Sequence, residues 1–186
     1  MNAIELLLSR GSAVRLAEPA PGEEVLDKVF RAALRAPDHG RMRPWRFKII
    51  RGEGLNRFAD LLAESLKGRK PDASEEELSR ERQKALRSPM IVVAVARIGP
   101  TEKIPEVEQV LSAGAATQNI LLALHALGFG GVWKTGAAAY DGMVKSRLGL
   151  EASDQIVGFL YVGTLAGNVP DVPRPEPAEF VAEWGG

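Results

Sequence analysis

An uninterrupted apolar run, Met90 to Ala96 (MIVVAVA), constrains the fold more than any other segment of this 186-residue chain. Such a β-branched run is typical of a strand that is buried on both faces. A second run, Ile156 to Val162 (IVGFLYV), has the same character. Two strands of this kind can be kept from water only if helices pack on both sides of the sheet that contains them. The sequence therefore predicts a central sheet covered by helices.

Helical periodicity marks most of the remaining chain. Shorter β-rich runs, Phe47 to Ile50 and Gly130 to Trp133, predict two more strands. Helical segments separate the strands and no hairpin turn joins them, and the length fits one domain over residues 1–186. The predicted helices are Ala3 to Arg10, Glu23 to Arg35, Leu55 to Leu66, Pro105 to Leu127 and Tyr140 to Leu148.

The charged segment from Lys67 to Arg87 has two interpretations. Its capping-box pattern, Ser74-x-x-Glu77, favours a solvated helix, and a mobile lid is the alternative. The Pro-rich tail after Gly163 has neither a helix nor a strand period, and such a tail more often wraps a neighbouring subunit than packs on its own. A dimer is therefore expected.

Composition excludes several classes of site. The chain has no cysteine and only two histidines, His39 and His125, which excludes disulfides, a cysteine nucleophile and a multi-histidine metal centre. Lys and Arg together number 24, as do Asp and Glu, which argues against a protein that coats nucleic acid. We predict no metal site and no nucleic-acid partner.

Nothing in the sequence predicts export or membrane insertion. The amino terminus lacks the charged and long apolar regions of a secretory signal, so a cytoplasmic protein is expected. Val110 to Leu127 reaches membrane-like length, but polar residues such as Gln118 and Asn119 interrupt it. This segment is predicted to be a helix buried in protein, with His125 as a core or interface residue.

The first candidate site is Arg10-Gly-Ser-Ala-Val-Arg15, at the end of the first predicted helix. Two guanidinium groups flank Gly11 and the Ser12 hydroxyl, which together offer charge, close backbone approach and a hydrogen bond. That combination suits a terminal phosphate. The alternative is an ordinary glycine helix cap followed by a surface arginine.

The second candidate is the loop from Arg35 to Trp45, which follows the second helix. It brings Arg35, His39, Arg41 and Arg43 close to an indole, a composition that suits a planar anionic ligand. The alternative is a solvated turn with a half-buried tryptophan.

The third candidate is the glycine-rich turn Gly128-Phe-Gly-Gly-Val-Trp-Lys-Thr-Gly136. Its backbone can approach a ligand closely, and Lys134 and Thr135 add a cation and a hydroxyl. Neither nucleotide-binding glycine pattern is present, and a plain helix-to-strand turn is the alternative. None of the three segments offers a nucleophile with an activating base, so we expect a bound cofactor to carry the chemistry and no catalytic side chain.

These segments, in this order, resemble the FMN-dependent nitroreductase family, and most closely its short subgroup of NAD(P)H nitroreductases with an APDH loop. The likeness rests on Arg10-Gly-Ser-x-x-Arg15, on Ala36-Pro-Asp-His39 running to Arg43-Pro-Trp45, on Gly-Phe-Gly-Gly-Val-Trp133 and on Val157 to Thr164. The resemblance implies an α+β fold with a central, mostly antiparallel sheet flanked by helices. It also implies a homodimer whose tail extends onto the partner subunit and whose FMN lies at the subunit interface.

The resemblance further implies an oxidoreductase that takes a hydride from NADH or NADPH and reduces nitroaromatic or similar electron-poor acceptors by two electrons, in a ping-pong cycle. Arg10, Gly11 and Ser12 would hold the FMN phosphate, and Arg35 and His39 would contribute from the partner subunit's loop. By the same resemblance, the last three predicted cofactor-binding residues would line the other side of the FMN; they are Trp133, Lys134 and Thr135.

Two positions depart from the family pattern. The family usually has Arg where Gly11 stands, so phosphate charge must come from Arg10, Arg15 or Arg174; Gln commonly stands where this chain has Arg43. A non-catalytic flavin carrier or redox-sensing module could use the same phosphate-binding residues. A helical interaction protein that uses Val110 to Leu127 as a partner face is a third interpretation.

Overall fold

A computed structural model describes residues 2–185 as a mixed α/β protein with a five-stranded sheet. The strands are β1 (Leu16–Ala17), β2 (Trp45–Arg51), β3 (Met90–Ala96), β4 (Phe129–Lys134) and β5 (Gln155–Leu165). The helices are α1 (Ala3–Ser9), α2 (Glu23–Ala33), α3 (Glu53–Arg69), α4 (Glu75–Ala85), α5 (Glu106–Ala126) and α6 (Gly142–Arg147). Short 3₁₀ turns lie at His39–Arg41, Ala137–Tyr140 and Pro177–Glu179.

Every strand pairing is antiparallel, as predicted. The order is β1-β5-β3-β2, and β4 pairs with the other side of β5. In register, Met90 of β3 lies opposite Val162 of β5, and Phe129 of β4 lies opposite Thr164. All seven residues of β3 are buried, which confirms the strand that its apolar run predicts.

Two apolar layers cover the sheet, and alternate residues of β3 and β5 point into each of them. One layer packs α2 and α5 against Val92 and Leu160. The other packs α3, α4 and α6 against Val93 and Phe159. This is why both central strands are apolar at consecutive positions rather than at alternate ones.

The charged segment after Lys67 forms a helix that packs on α3. Its predicted capping box is present, because the Ser74 hydroxyl accepts from the Glu77 amide and the Glu77 carboxylate accepts from the Ser74 amide. Leu78 is buried beneath it, and Arg82 pairs with Asp60 of α3 at 3.1 Å. The prediction of a helix is thus confirmed.

Two predicted helices differ from the structure, and one strand was not predicted. The second helix ends at Ala33, and a tight turn leads to Pro37. The predicted Tyr140–Leu148 helix is a 3₁₀ turn followed by α6, because the Asp141 side chain accepts from the amides of Met143 and Val144 and starts a new helix there. Strand β1 has no sequence signal, since two residues are too few to show a period.

The tail after β5 is extended and exposed. Its large apolar side chains, Val172, Phe180, Val181 and Trp184, face solvent in the single subunit. No helix among residues 2–185 is both long and apolar enough to cross a membrane.

Candidate functional site

A positively charged cavity of about 840 Å³ opens at the end of the sheet where β1, β4 and β5 meet. No carboxylate lines it, and none of its cations has a carboxylate partner within ion-pairing distance in residues 2–185. Unpaired cations around one cavity attract an anionic ligand, because opposite charge nearby offsets the ligand's desolvation. The five cations are Arg10, Arg15, Arg87, Lys134 and Arg174.

One wall of the cavity is the loop from Arg10 to Arg15, the first segment predicted to bind a phosphate. Backbone hydrogen bonds fix it on two sides: the Ala13 amide donates to the Gly131 carbonyl of β4 at 3.1 Å, and the Ala166 amide donates to the Arg15 carbonyl at 3.2 Å. Ala13 is buried, whereas the Ser12 side chain is exposed. The loop thus presents a hydroxyl and two guanidinium groups from a rigid backbone.

The carboxyl-terminal tail forms a second wall and explains the unusual Gly11. A Cβ atom at Gly11 would stand 2.2 Å from the Val169 Cγ1 atom, so the loop and the tail touch at a point where only glycine fits without a shift. The same tail brings Arg174 to the cavity. Arg174 therefore supplies a positive charge that a glycine at position 11 cannot supply.

The floor is formed by β4 and β5. Lys134 and Val132 face the cavity, as does Tyr161 of β5. Burial raises the pKa of Tyr161; the positive charge of Arg87 partly opposes that rise and the Glu81 carboxylate adds to it. The phenol therefore stays protonated at neutral pH and is available as a hydrogen-bond donor.

Trp133 and Thr135 lie outside this cavity. Because side chains alternate along a strand, the Trp133 indole points to the opposite layer from Lys134, where its Nε1–H donates to the Val157 carbonyl at 3.1 Å. Gly158 makes room for it, since a Cβ atom there would lie 2.1 Å from the indole nitrogen. Thr135 opens instead into a neighbouring cavity of about 110 Å³ that shares Tyr161.

Arg35 and His39 lie far from the cavity within one subunit. His39 contacts Glu108 near the start of α5, whereas Ser9, next to Arg10, contacts His125 near its end. Glu108 and His125 are 17 positions apart in the sequence, which corresponds to roughly 25 Å of helix. One subunit therefore cannot bring both sets of predicted residues to one small ligand.

The loop that carries His39 has an unusual backbone. Gly40, Arg41 and Arg43 have φ angles of 65°, 57° and 48°, and left-handed geometry is costly for residues other than glycine. Hydrogen bonds hold it in place: both Asp38 carboxylate oxygens accept from the Arg43 amide, and Arg46 donates to the Arg43 and Trp45 carbonyls. The Arg35, Arg41 and Arg43 side chains are left exposed.

Sequence reasoning missed Arg87. It ends the charged segment just before β3, and the pairing of Met90 with Val162 brings this end of β3 beside the floor of the cavity. No spacing pattern in the sequence predicts that Arg87 lies at the cavity, because its position depends on the order of the strands in the sheet.

Fold and cavity together define an α+β protein with a cationic cavity at one end of an antiparallel sheet. The model of the nitroreductase family matches residues 16–164. "Putative NAD(P)H nitroreductase YdjA" of Escherichia coli K12 is 42% identical over 180 residues, which cover 95% of this chain and 97% of the relative. A Haemophilus influenzae protein named "Putative NAD(P)H nitroreductase" is 38% identical over 165 residues, which cover 88% of this chain and 89% of the relative.

Solved structures show the same fold. A nitroreductase-like family protein from Bacillus cereus superposes with a TM-score of 0.86 at 24% identity, over 100% of this chain and 97% of the other. A Desulfovibrio desulfuricans protein solved in complex with FMN gives 0.75 at 24% identity, over 98% of each chain. The chain therefore belongs to the nitroreductase family, and the predicted fold and the predicted class of enzyme, an oxidoreductase, are confirmed.

Proposed function

We propose that the protein is an FMN-dependent NAD(P)H oxidoreductase that reduces nitroaromatic or similar electron-poor acceptors by two electrons, in a ping-pong cycle. The observation that carries the proposal is the cavity with five unpaired cations, in a chain of the nitroreductase family. The FMN complex of the Desulfovibrio protein and the NAD(P)H nitroreductase names of the relatives support it. A reaction that consumes NAD(P)H also suits the expected cytoplasmic location.

The residues at the cavity fit a flavin phosphate. Arg10 and the Ser12 hydroxyl would hold it, Gly11 would let the loop approach closely, and Arg15 or Arg174 would complete the charge. When bound, FMN accepts a hydride and passes two electrons on. The protein supplies binding, orientation and electrostatics. Lys134 would add positive potential beside the ring, the backbone of Trp133 would lie next to it, and Thr135 would contribute its hydroxyl from the neighbouring cavity.

A second copy of the chain would complete the site. Arg35 and His39 can reach a flavin in this cavity only from a partner subunit, because α5 separates them from Arg10 within one chain. Exposed apolar residues at one end of α5 and on α1 offer the surface for such a homodimer: Ile4, Leu8, Val107 and Leu111. In that arrangement each chain is a single domain over residues 1–186, and its apolar tail extends onto the partner.

The test starts from the colour of the purified protein. Purified or FMN-reconstituted protein is expected to be yellow, to bleach anaerobically on addition of NADH or NADPH, and to regain its colour when a nitroaromatic compound such as p-nitrobenzoate is added. Protein that binds no FMN would overturn the proposal. Protein that binds FMN but turns over no nitro compound or quinone under saturating NAD(P)H would instead be a flavin carrier or redox sensor.

A further inference from the structure

Glu108 of α5 holds the His39 ring in one orientation. The Nδ1 atom of His39 lies 2.5 Å from Oε2 of Glu108, a distance at which the ring N–H donates to the carboxylate. The other ring nitrogen, Nε2, makes no hydrogen bond within residues 2–185, and the His39 side chain is 62% exposed. A histidine whose Nδ1 carries the proton presents Nε2 as an acceptor.

The loop around His39 is braced so that this orientation is built in. The Ser112 hydroxyl, one helical turn after Glu108, donates to the Pro37 carbonyl at 2.6 Å. Gly40 packs so closely on Ile104 that a Cβ atom there would stand 2.3 Å from the Ile104 Cδ1 atom. Contacts on both sides of His39 therefore fix the backbone from which the ring projects.

The charge of this pair decides what it can bind. With a neutral imidazole the pair carries one negative charge, and with a protonated imidazole it carries none. In the neutral state Nε2 has no proton to donate and the pair is negative, so it disfavours a phosphate, in contrast to the cavity lined by Arg10 and four further cations. His39 is thus unsuited to the phosphate and suited to an uncharged donor.

We propose that Glu108 is a positioning residue that fixes the Nδ1–H tautomer of His39, so that Nε2 accepts a hydrogen bond from an uncharged donor on the ligand. The inference rests on the proposed function, since it takes the ligand to be a flavin bound across the dimer. A flavin offers such donors in its imide N–H and its ribityl hydroxyls. The phosphate is then held entirely by the cationic cavity.

The tautomer can be read directly, because the chain has only two histidines. Long-range ¹H–¹⁵N spectra of the ¹⁵N-labelled protein, recorded where the imidazole is neutral and assigned with a His125→Gln variant, are expected to show His39 protonated on Nδ1. In Glu108→Ala the proton is expected on Nε2, and in Glu108→Gln it stays on Nδ1, because the amide oxygen still accepts. Wild-type His39 protonated on Nε2 would overturn the proposal.

The ligand contact is tested with apoprotein titrated with FMN and, separately, with riboflavin. Glu108→Ala is expected to weaken both by the same factor, roughly two- to tenfold for one hydrogen bond, and Glu108→Gln is expected to restore both. Arg10→Ala should weaken FMN alone. The matched control is Glu106→Ala, which removes the same charge one half-turn away without touching His39.

Three binding results would count against the proposal. If Glu108→Ala weakens FMN but not riboflavin, His39 serves the phosphate after all. If it weakens neither, Glu108 has no positioning role, and the proposed function stands. If the wild-type protein binds neither flavin, the proposed function fails and this inference fails with it.

Discussion

Gly11 and Val169 touch so closely that a Cβ atom on Gly11 would stand 2.2 Å from the Val169 Cγ1 atom. This contact joins the loop that would hold a phosphate to the tail that carries Arg174. Gly11 leaves room for Val169, and Arg174 of the same tail adds a positive charge at the cavity. The tail therefore forms part of the cavity wall.

Introducing an arginine at this position should disturb the tail. Gly11→Arg is expected to destabilise the protein by about 1–3 kcal/mol, since a β-branched valine has few rotamers in which to yield. Urea unfolding measures the loss. Adding Val169→Ala should recover part of it, which a double-mutant cycle detects as a coupling energy. Strictly additive effects would show that the two residues do not meet in solution.

Lys134 should tune the flavin electrostatically. Lys134→Met is expected to lower the two-electron midpoint potential of bound FMN by roughly 20–60 mV, equivalent to about 1–3 kcal/mol, because a cation that favours negative charge on the ring is lost. Spectroelectrochemical titration gives the potential. Lys134→Arg keeps the charge and serves as the control. An unchanged potential in Lys134→Met would place the ammonium group away from the ring.

The Trp133 side chain should contribute more to the stability of the fold than to flavin binding. Trp133→Phe removes the donor to the Val157 carbonyl and is expected to cost about 1–3 kcal/mol, because it leaves that acceptor without its partner. The dissociation constant for FMN should change by less than about twofold, since the indole and Lys134 point to opposite faces of β4. Unfolding curves and flavin titrations of the same preparation separate the two effects. A large loss of FMN affinity with unchanged stability would assign the indole to the ligand.

Periodicity and apolar runs predict most of the fold because burial dominates there. Met90 to Ala96 lies between two apolar layers, and its composition alone requires that. Strand β1 and the separate helix α6 depend instead on single local interactions, a two-residue pairing with β5 and the Asp141 cap. Such interactions leave no repeating signal in the sequence.

The candidate site could be predicted only in part, for a geometric reason. Arg10 and Lys134 line one cavity because β4 runs beside the loop, and the family resemblance implies that both lie near the cofactor. Arg87 lies at the same cavity because β3 pairs with β5. His39 lies away from the cavity because it contacts the opposite end of α5. A linear motif names residue types that suit a ligand. The distances between motifs are set by tertiary packing.

Asp141 should make stability depend on pH in the acidic range. Burial acts to raise the pKa of Asp141, but hydrogen bonds from Ser65, Met143 and Val144, together with the charge of Arg69, lower it below its ordinary value. A group whose folded-state pKa is lowered stabilises the fold above its unfolded pKa, and this contribution is lost as the pH falls through the folded value.

The matching experiment compares wild type with Asp141→Asn, which keeps an oxygen for the helix cap but loses the charge. The wild type should be more stable at pH 7, and the difference should shrink below about pH 4, as urea unfolding at several pH values would show. Asp171→Asn in the exposed tail is the control and should give no such difference. A gap that persists unchanged at low pH would rule out the carboxylate charge as its source.

The exposed start of α5 should be where two subunits meet. Leu111 and Val107 lie one helical turn apart and face solvent in the single subunit. Leu111→Lys is expected to weaken dimerisation by on the order of 2–4 kcal/mol, because it would bury an unpaired charge in an apolar contact. Light scattering coupled to gel filtration measures the fraction of dimer. Flavin should be released when the dimer dissociates, because His39 and Arg35 of the partner subunit then leave the site. Leu86→Lys, at another exposed leucine directly after α4, is the control and should stay dimeric and yellow. A Leu111→Lys variant that remains a flavin-loaded dimer would move the interface to another face.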